Sequence, residues 1–369
     1  MSSDILIYAV CELLLALQIA VSNALVIWVY LTKRPVRTPT NTYMFSLALT
    51  DFLAGAVGVP ITVFSVITRA PHSFNSCLFV HLILCILCTV STFHLLVIAI
   101  DKYLTICCQC QFWMDQKARH FRARMLIILA WIMGTVIGLL PLFDVFEFAS
   151  RNRHRFKGEC HFTLVVDYRY LVYVIFFATI IVPSVIILCC YTAIYRRIGL
   201  EEKQIKCLLR ASERRRRMRN RRKLIRTLTL LVCTYAVCWF PLYLLNTIDL
   251  FFPDRKPTPL MTLFTVVLSH ANCALNPVIY AYGMPGFKHT LRRFIGIKTM
   301  NKPPIMIKNA VPHGKHSTAS SIYSQHNTPY KGRKKYSWTQ LGRSLESIDG
   351  SFSPNKISQR QPLNAINKR

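Results

Sequence analysis

One stretch of this 369-residue chain sets reactive groups among residues that are otherwise apolar. Leu268-Ser269-His270-Ala271-Asn272-Cys273-Ala274-Leu275-Asn276-Pro277-Val278-Ile279-Tyr280 carries a hydroxyl, an imidazole, two carboxamides and a proline. Polar groups left unpaired in hydrocarbon cost free energy, so a span that keeps several uses them to bind, to pair or to switch. Packing alone is the competing explanation, and it is disfavoured because other segments insert polar residues at matching depth. The chemistry offered is recognition: a carboxamide donates and accepts at once, and an imidazole does either according to its tautomer. Catalysis is not indicated. Ser269-His270 lacks the geometry of a positioned nucleophile and base, and no other catalytic constellation stands out.

Groups held at one depth need rigid walls, and the composition supplies them. The chain is 53% hydrophobic yet has a formal net charge of +30, so its charge must be segregated from its apolar runs. Seven apolar stretches of spanning length follow one another, roughly Ile5 to Leu31, Tyr43 to Ile67, Leu78 to Tyr103, Met125 to Val145, Tyr170 to Tyr195, Leu228 to Phe251 and Pro259 to Tyr282. The expected fold is an all-α membrane protein, a seven-transmembrane helix bundle. A transporter would be expected to show repeat-like halves, and none are visible. The first stretch lacks a basic leader and a small-residue cleavage site, so it reads as a retained signal-anchor span.

Lys and Arg set the orientation. Lys33, Arg34 and Arg37 follow the first span; Lys117, Arg119, Arg122 and Arg124 follow the third; Arg214 to Arg217, Arg219, Arg221, Arg222 and Lys223 follow the fifth. These faces are expected to be cytoplasmic, which puts the N-terminus outside and the C-terminus inside. One loop dissents: Arg151, Arg153, Arg155 and Lys157 fall on the outer side. The arginine run between the fifth and sixth spans sets topology and suits anionic headgroups or an acidic cytosolic partner; beside two spans it does not indicate nucleic acid.

Domain organisation follows. Residues 1–296 form the bundle with a short amphipathic surface helix at about 284–296, where Phe287, Leu291 and Phe294 share a face. Residues 297–369 read as a disordered, basic, Ser- and Thr-containing cytoplasmic tail open to kinases. Of fourteen cysteines, Cys77 and Cys160 fall on the oxidising side, where a bridge would tie the second outer loop over the bundle mouth. There is no Asn-x-Ser/Thr acceptor for N-glycosylation, and no cysteine follows Cys273.

The chain resembles the rhodopsin-like (class A) G-protein-coupled receptors over roughly its first 296 residues. The motifs that carry this are Ser22-Asn23-Ala24-Leu25-Val26, Ser46-Leu47-Ala48-Leu49-Thr50-Asp51, Asp101-Lys102-Tyr103, Trp131, Pro183 with Tyr191, Cys238-Trp239-Phe240-Pro241 and Asn276-Pro277-Val278-Ile279-Tyr280. The resemblance implies a signalling receptor for a small extracellular ligand that activates a heterotrimeric G protein, with receptor kinases and arrestin acting on the tail. It implies no cofactor beyond an allosteric Na+ in a pocket of Asp51, Asn23, Ser91, Asn272 and Asn276. Pro183, Pro241 and Pro277 each remove a backbone hydrogen bond and are candidate hinges. Trp239 is expected at the cavity floor, with Tyr191 and Tyr280 swinging inward to hold the open form.

Within that family the chain resembles the adenosine receptors. The carrying segments are Leu268-Ser269-His270-Ala271-Asn272, Cys238-Trp239-Phe240-Pro241-Leu242 with Asn246, Cys160-His161-Phe162 with Val165-Val166, and Glu12. The resemblance implies that Phe162 stacks on a purine and that Asn246 contacts its exocyclic amine and ring nitrogen. Ser269 and His270 would take ribose hydroxyls, with Glu12 orienting His270. Leu84, Leu171, Trp239, Leu242, Leu263 and Val267 would supply apolar walls. Departures fall on the sugar side and at the amine: Thr163, Cys88-Thr89, Tyr243 and Ile175 stand where those receptors have an acid, a Thr-Gln pair, a histidine and a polar residue. The third span has no acid in its outer half, which argues against an amine ligand.

Two features concern coupling. Lys102 replaces the usual arginine and lacks its planar fork. The inner end of the sixth span, Arg221-Arg222-Lys223, offers no acid to close a bridge to the third, which predicts appreciable basal activity. A receptor for a non-purine ligand, or a ligand-independent signalling scaffold, therefore stays open as the alternative.

Overall fold

The computed structural model describes residues 3–32, 37–108, 115–205, 211–252, 254 and 257–283. Among them every regular element is helical. Seven helices are long and apolar enough to cross a bilayer: α1 (Ser3–Thr32), α2 (Pro39–Thr68), α3 (Phe74–Cys108), α4 (Lys117–Phe143), α5 (Tyr170–Glu201), α6 (Ile225–Phe251) and α7 (Pro259–Tyr280). α6 continues a helix that starts at Ala211. The expected surface helix at 284–296 and the tail at 297–369 lie outside the described residues.

Local chemistry starts and stops these helices. Thr38 accepts from the Asn41 N–H with Pro39 in the first turn, and Ser73 accepts from the Ser76 N–H to open α3. α4 ends earlier than the expected Val145. Pro141 tightens its last turn to 3₁₀ geometry, and Asp144 then adopts a left-handed φ of 53° that closes it.

α3 is the axle of the bundle and α4 a rim helix: 67% of α3's apolar window is buried, against 22% of α4's. The outward faces are apolar, with Leu14 at 65% and Leu17 at 63% exposure on α1, as lipid contact requires. α4 reaches α3 through Gly134-Thr135-Val136-Ile137-Gly138. A Cβ at Gly134 would lie 2.7 Å from the Val90 backbone, and one at Gly138 would lie 2.8 Å from Ile86 Cα. Only glycine permits that approach, which is how small-xxx-small motifs join membrane helices. The approach lets the Thr89 hydroxyl donate to Gly134 O at 2.8 Å, so Thr89 faces α4.

Cys77 and Cys160 are bridged as expected, with Cα atoms 5.6 Å apart. The bridge fixes the outer loop to α3, and the Cys160 N–H donates to Arg69 O at 2.9 Å, tying the same loop to the end of α2.

Candidate ligand cavity and polar core

The outer half of the bundle encloses a cavity of about 250 Å³. Its polar groups are few and its walls are mostly apolar, as in small-molecule sites. Phe162 sits at the start of a short helix, Phe162–Val165, directly after the bridged Cys160, and so hangs over the cavity from the tethered loop. Asn246 lines it from α6 at 7% exposure, and among the described residues its carboxamide has no hydrogen-bond partner. An amide this buried with unspent donors and acceptor is suited to a ligand that presents both.

His270 lines the cavity from α7, and its Nδ1 lies 2.8 and 3.0 Å from the two carboxylate oxygens of Glu12 on α1. Glu12 is fully buried behind it. An ionised carboxylate only accepts, so Nδ1–H donates to Glu12 and fixes the ring, leaving Nε2 for the cavity. The orienting role expected for Glu12 has its geometry here. Ser269 also lines the cavity, but its hydroxyl donates to Val266 O at 2.7 Å, which leaves it as an acceptor toward a ligand.

Leu84, Leu171, Leu242, Leu263 and Trp239 line the walls and floor. Val267 does not; Val266 takes its place. With 3.6 residues per turn, Thr262, Leu263, Val266, Ser269 and His270 fall within an arc of roughly 120°, and Val267 lies about 40° beyond its edge. Ile175 is fully buried and is not a lining residue.

Several lining residues escaped the sequence reading. His81, one turn below Cys77 on α3, is 3% exposed, meets the Phe162 ring edge-on at 5.4 Å and places Nε2 3.6 Å from Cys160 Sγ. Its spacing of four from a bridged cysteine was the available signal. Tyr8 stands the same four residues before Glu12. Tyr168 reaches in from the outer loop; burial and the Asp249 carboxylate push its phenol up to about 12, so it keeps its proton as a donor. Cys77, His81 and Cys160 also bring metal-type donors close together, but the two sulfurs are bonded to each other and offer no thiolate.

Below the cavity α6 carries an aromatic column. Tyr243 stacks on Phe176 at 5.6 Å, Trp239 stacks on Tyr243 at 5.9 Å and Tyr235 lies 6.1 Å from Trp239. The Tyr235 hydroxyl is hydrogen-bonded to Thr92 on α3. Trp239 thus is the cavity floor and the head of a stack leading inward.

At mid-depth Asn276 donates to Asp51 Oδ2 at 2.8 Å, and Asn23 donates to Cys273 O at 3.1 Å. Ser91 and Asn272 are buried in the same bundle core. Asp51 Oδ1, Asn23 Oδ1 and Asn272 Oδ1 are all buried acceptors with no hydrogen-bond partner among the described residues. Orphaned oxygens of this kind are the donor set a hard monovalent cation takes.

At the far end of α3, Asp101 accepts from Lys102 Nζ at 3.1 Å and from Arg122 Nε at 2.8 Å, while Lys102 also donates to Thr40 at 2.6 Å. Arg122 continues to Thr105 at 2.7 Å. Lys102 is 4% exposed. Among the described residues this charged cluster joins α3 to α2 and α4. Tyr191 and Tyr280 are buried in the inner half, and Pro241 and Pro277 lie inside α6 and α7.

Seven spans around an axle helix, an outer cavity roofed by a bridged loop and a polar core beneath it define a membrane receptor. A family model, the 7 transmembrane receptor (rhodopsin family), matches residues 22–280, and the chain belongs to that family. Membership makes it a multi-pass plasma-membrane receptor and not an enzyme. It is 30% identical over 299 residues to adenosine receptor A2a of Homo sapiens, covering 78% of this chain and 72% of that protein. It is also 30% identical over 332 residues to adenosine receptor A2b of Gallus gallus, covering 85% and 95%.

Proposed function

We propose that this receptor binds a nucleoside or related purine in the outer cavity and passes the signal to a heterotrimeric G protein. The N-terminus is outside and the C-terminus inside, with arrestin and receptor kinases acting at the tail. The observation that carries the reading is the polar pairing around one small cavity: an unspent Asn246 amide on α6, and a His270 fixed by Glu12 on the α7 side. Phe162 offers the face on which a purine stacks. The amide's adjacent donor and acceptor suit an aminopurine edge, while His270 Nε2 and the Ser269 oxygen suit hydroxyls. Both similar receptors are named for adenosine. Cys88 and Tyr243 on the cavity wall alter the side where a sugar would lie.

Asp51, Asn23 and Asn272 would hold a Na+ through their orphaned oxygens, with Ser91 and Asn276 completing the pocket. Such an ion balances the buried carboxylate and favours the closed bundle.

The test is G protein activation in cells cleared of endogenous adenosine with adenosine deaminase, titrated with a deaminase-resistant adenosine analogue. Wild type should respond saturably and Asn246→Ala should not, at equal surface expression. A flat wild-type titration would remove the purine. A second reading, a constitutive receptor with no purine agonist, is favoured by Asp101 being paired with Lys102 and Arg122, from α3 and α4; it expects high signal without ligand and the same signal in Asn246→Ala.

A further inference from the structure

We propose that the segment Arg151–Lys157 is an extracellular binding surface for a sulfated polysaccharide. The inference rests on the orientation proposed above, in which this loop is outside. Its sequence, Arg151-Asn152-Arg153-His154-Arg155-Phe156-Lys157, gathers four cations in seven residues on the side of the membrane where topology disfavours them.

The structure sorts these residues into two faces. Backbone bonds from Asn152 and Arg153 to Ala149 O, from Arg155 to Asn152 O and from Phe156 to Arg153 O coil the segment into helical turns. Residues three and four apart then share a side. Asn152, Arg153 and Phe156 face the protein: Asn152 is 8% exposed, Phe156 meets Phe74 edge-on at 5.7 Å, and Arg153 lies over the same ring and donates to Asn75 Oδ1 at 2.9 Å. Arg151, His154 and Arg155 take the other side, and Lys157 follows them; all four are exposed. Anchored behind by Phe74, the segment presents its cations in a fixed array.

Among the described residues the nearby carboxylates make no ion pair with the outward cations. Asp144 accepts from the Ala149 and Ser150 N–H groups, Asp167 pairs with Arg169, Glu147 acts on the same Arg169, and Glu159 is hydrogen-bonded to His161. Among the described residues Arg151, Arg155 and Lys157 have no ion-pair partner. Each exposed cation gains little from one small anion. A polymer that meets several at once gains by effective concentration and by releasing its condensed counterions. Short clusters of Lys and Arg are the usual footprint for polyanions, heparin-like chains among them. The location selects the polymer, because nucleic acid and most anionic lipid lie on the cytoplasmic side.

Fluorescent heparin on intact, heparinase-treated cells tests this, with an N-terminal tag reporting surface level and untransfected cells as background. Wild type should bind in a salt-sensitive way. Arg151→Gln/Arg155→Gln/Lys157→Gln should lose about tenfold or more, with a salt slope smaller by up to about three, roughly one for each cation removed. Arg151→Lys/Arg155→Lys keeps the charge and should keep binding, which separates lost charge from lost folding. Equal binding by wild type and the Gln variant, or equal competition by desulfated heparin, overturns the proposal. A wild type that binds no heparin yet answers the nucleoside titration overturns it alone; a tag detected only after permeabilisation overturns the orientation as well.

Discussion

Removing the His270 imidazole should damage the fold before it damages signalling, and removing Glu12 with it should repair the fold. Glu12 is fully buried, and among the described residues its carboxylate has His270 as its hydrogen-bond partner, at 2.8 and 3.0 Å. His270→Ala leaves that carboxylate without a partner in the membrane interior. Breaking one side of a buried charged pair costs about 3–5 kcal/mol. At about 2–4 °C per kcal/mol for domains of a couple of hundred residues, the apparent Tm in nanodiscs should fall by roughly 6–20 °C. Glu12→Gln/His270→Ala removes the orphaned charge and should recover at least half of that fall, while still failing to respond to a nucleoside. The double-mutant cycle isolates the coupling. Coincident melting of His270→Ala and the double variant would refute an ionised Glu12 that orients the histidine.

Other consequences follow from the packing and the charge clusters. Gly134→Leu should abolish surface expression, because even one Cβ falls 2.7 Å from the Val90 backbone; Gly199→Leu, where a Cβ meets nothing within 4 Å, should express as wild type in the same flow-cytometry assay. Arg122→Gln withdraws one of Asp101's two charged partners and should raise ligand-free G protein activation several-fold, measured per receptor at the surface. The Ser150 and Ala149 N–H groups hold the Asp144 carboxyl below the usual carboxylate range. Its capping contribution is thus complete above the unfolded value near 4 and is lost as pH falls through the lower folded one. Amide exchange at Ala149 and Ser150, corrected for intrinsic rate, should stay slow at pH 6 and accelerate only well below 4; Asp144→Ala should exchange fast at both.

The sequence made the bundle legible because a bilayer allows few solutions: each spanning run of apolar residues had to be a helix, and seven were found. Ser269 and His270 are legible as polar residues that an apolar span must account for, whereas Asn246 and Phe162 are singled out through the resemblance to the adenosine receptors. What stayed hidden depended on direction around a helix or on contact between distant segments. The structure puts Val266 where Val267 is expected, because hydropathy does not distinguish neighbours whereas a turn of about 100° does. His81 was overlooked because a histidine in an apolar run announces no partner until the Cys77–Cys160 bridge lowers Phe162 onto it. Gly134 and Gly138 were within reach, since their spacing of four is itself a packing signal. The early end of α4 needed the left-handed φ of Asp144, which no periodicity reports.

The arrangement of α3 suggests why ligand contact on α6 matters. Along its length α3 is bound to its other neighbours: by the bridge to the outer loop at Cys77, by Thr89 to α4 at mid-depth, and by Asp101 and Lys102 to α4 and α2 at the inner end. Toward α6, the Thr92 hydroxyl is hydrogen-bonded to Tyr235 at the foot of the aromatic column. Tyr243, Trp239 and Asn246 on the same helix all line the cavity. A ligand that touches them acts directly on α6, above its Thr92–Tyr235 link to the axle. It can shift that helix only by as much as it prefers one of the two positions. Thr92→Val should therefore lower the ligand concentration for half-maximal response while leaving ligand selectivity unchanged, because it loosens the link without altering the cavity wall. An unchanged half-maximal concentration at equal surface expression would show that the column transmits without that bond.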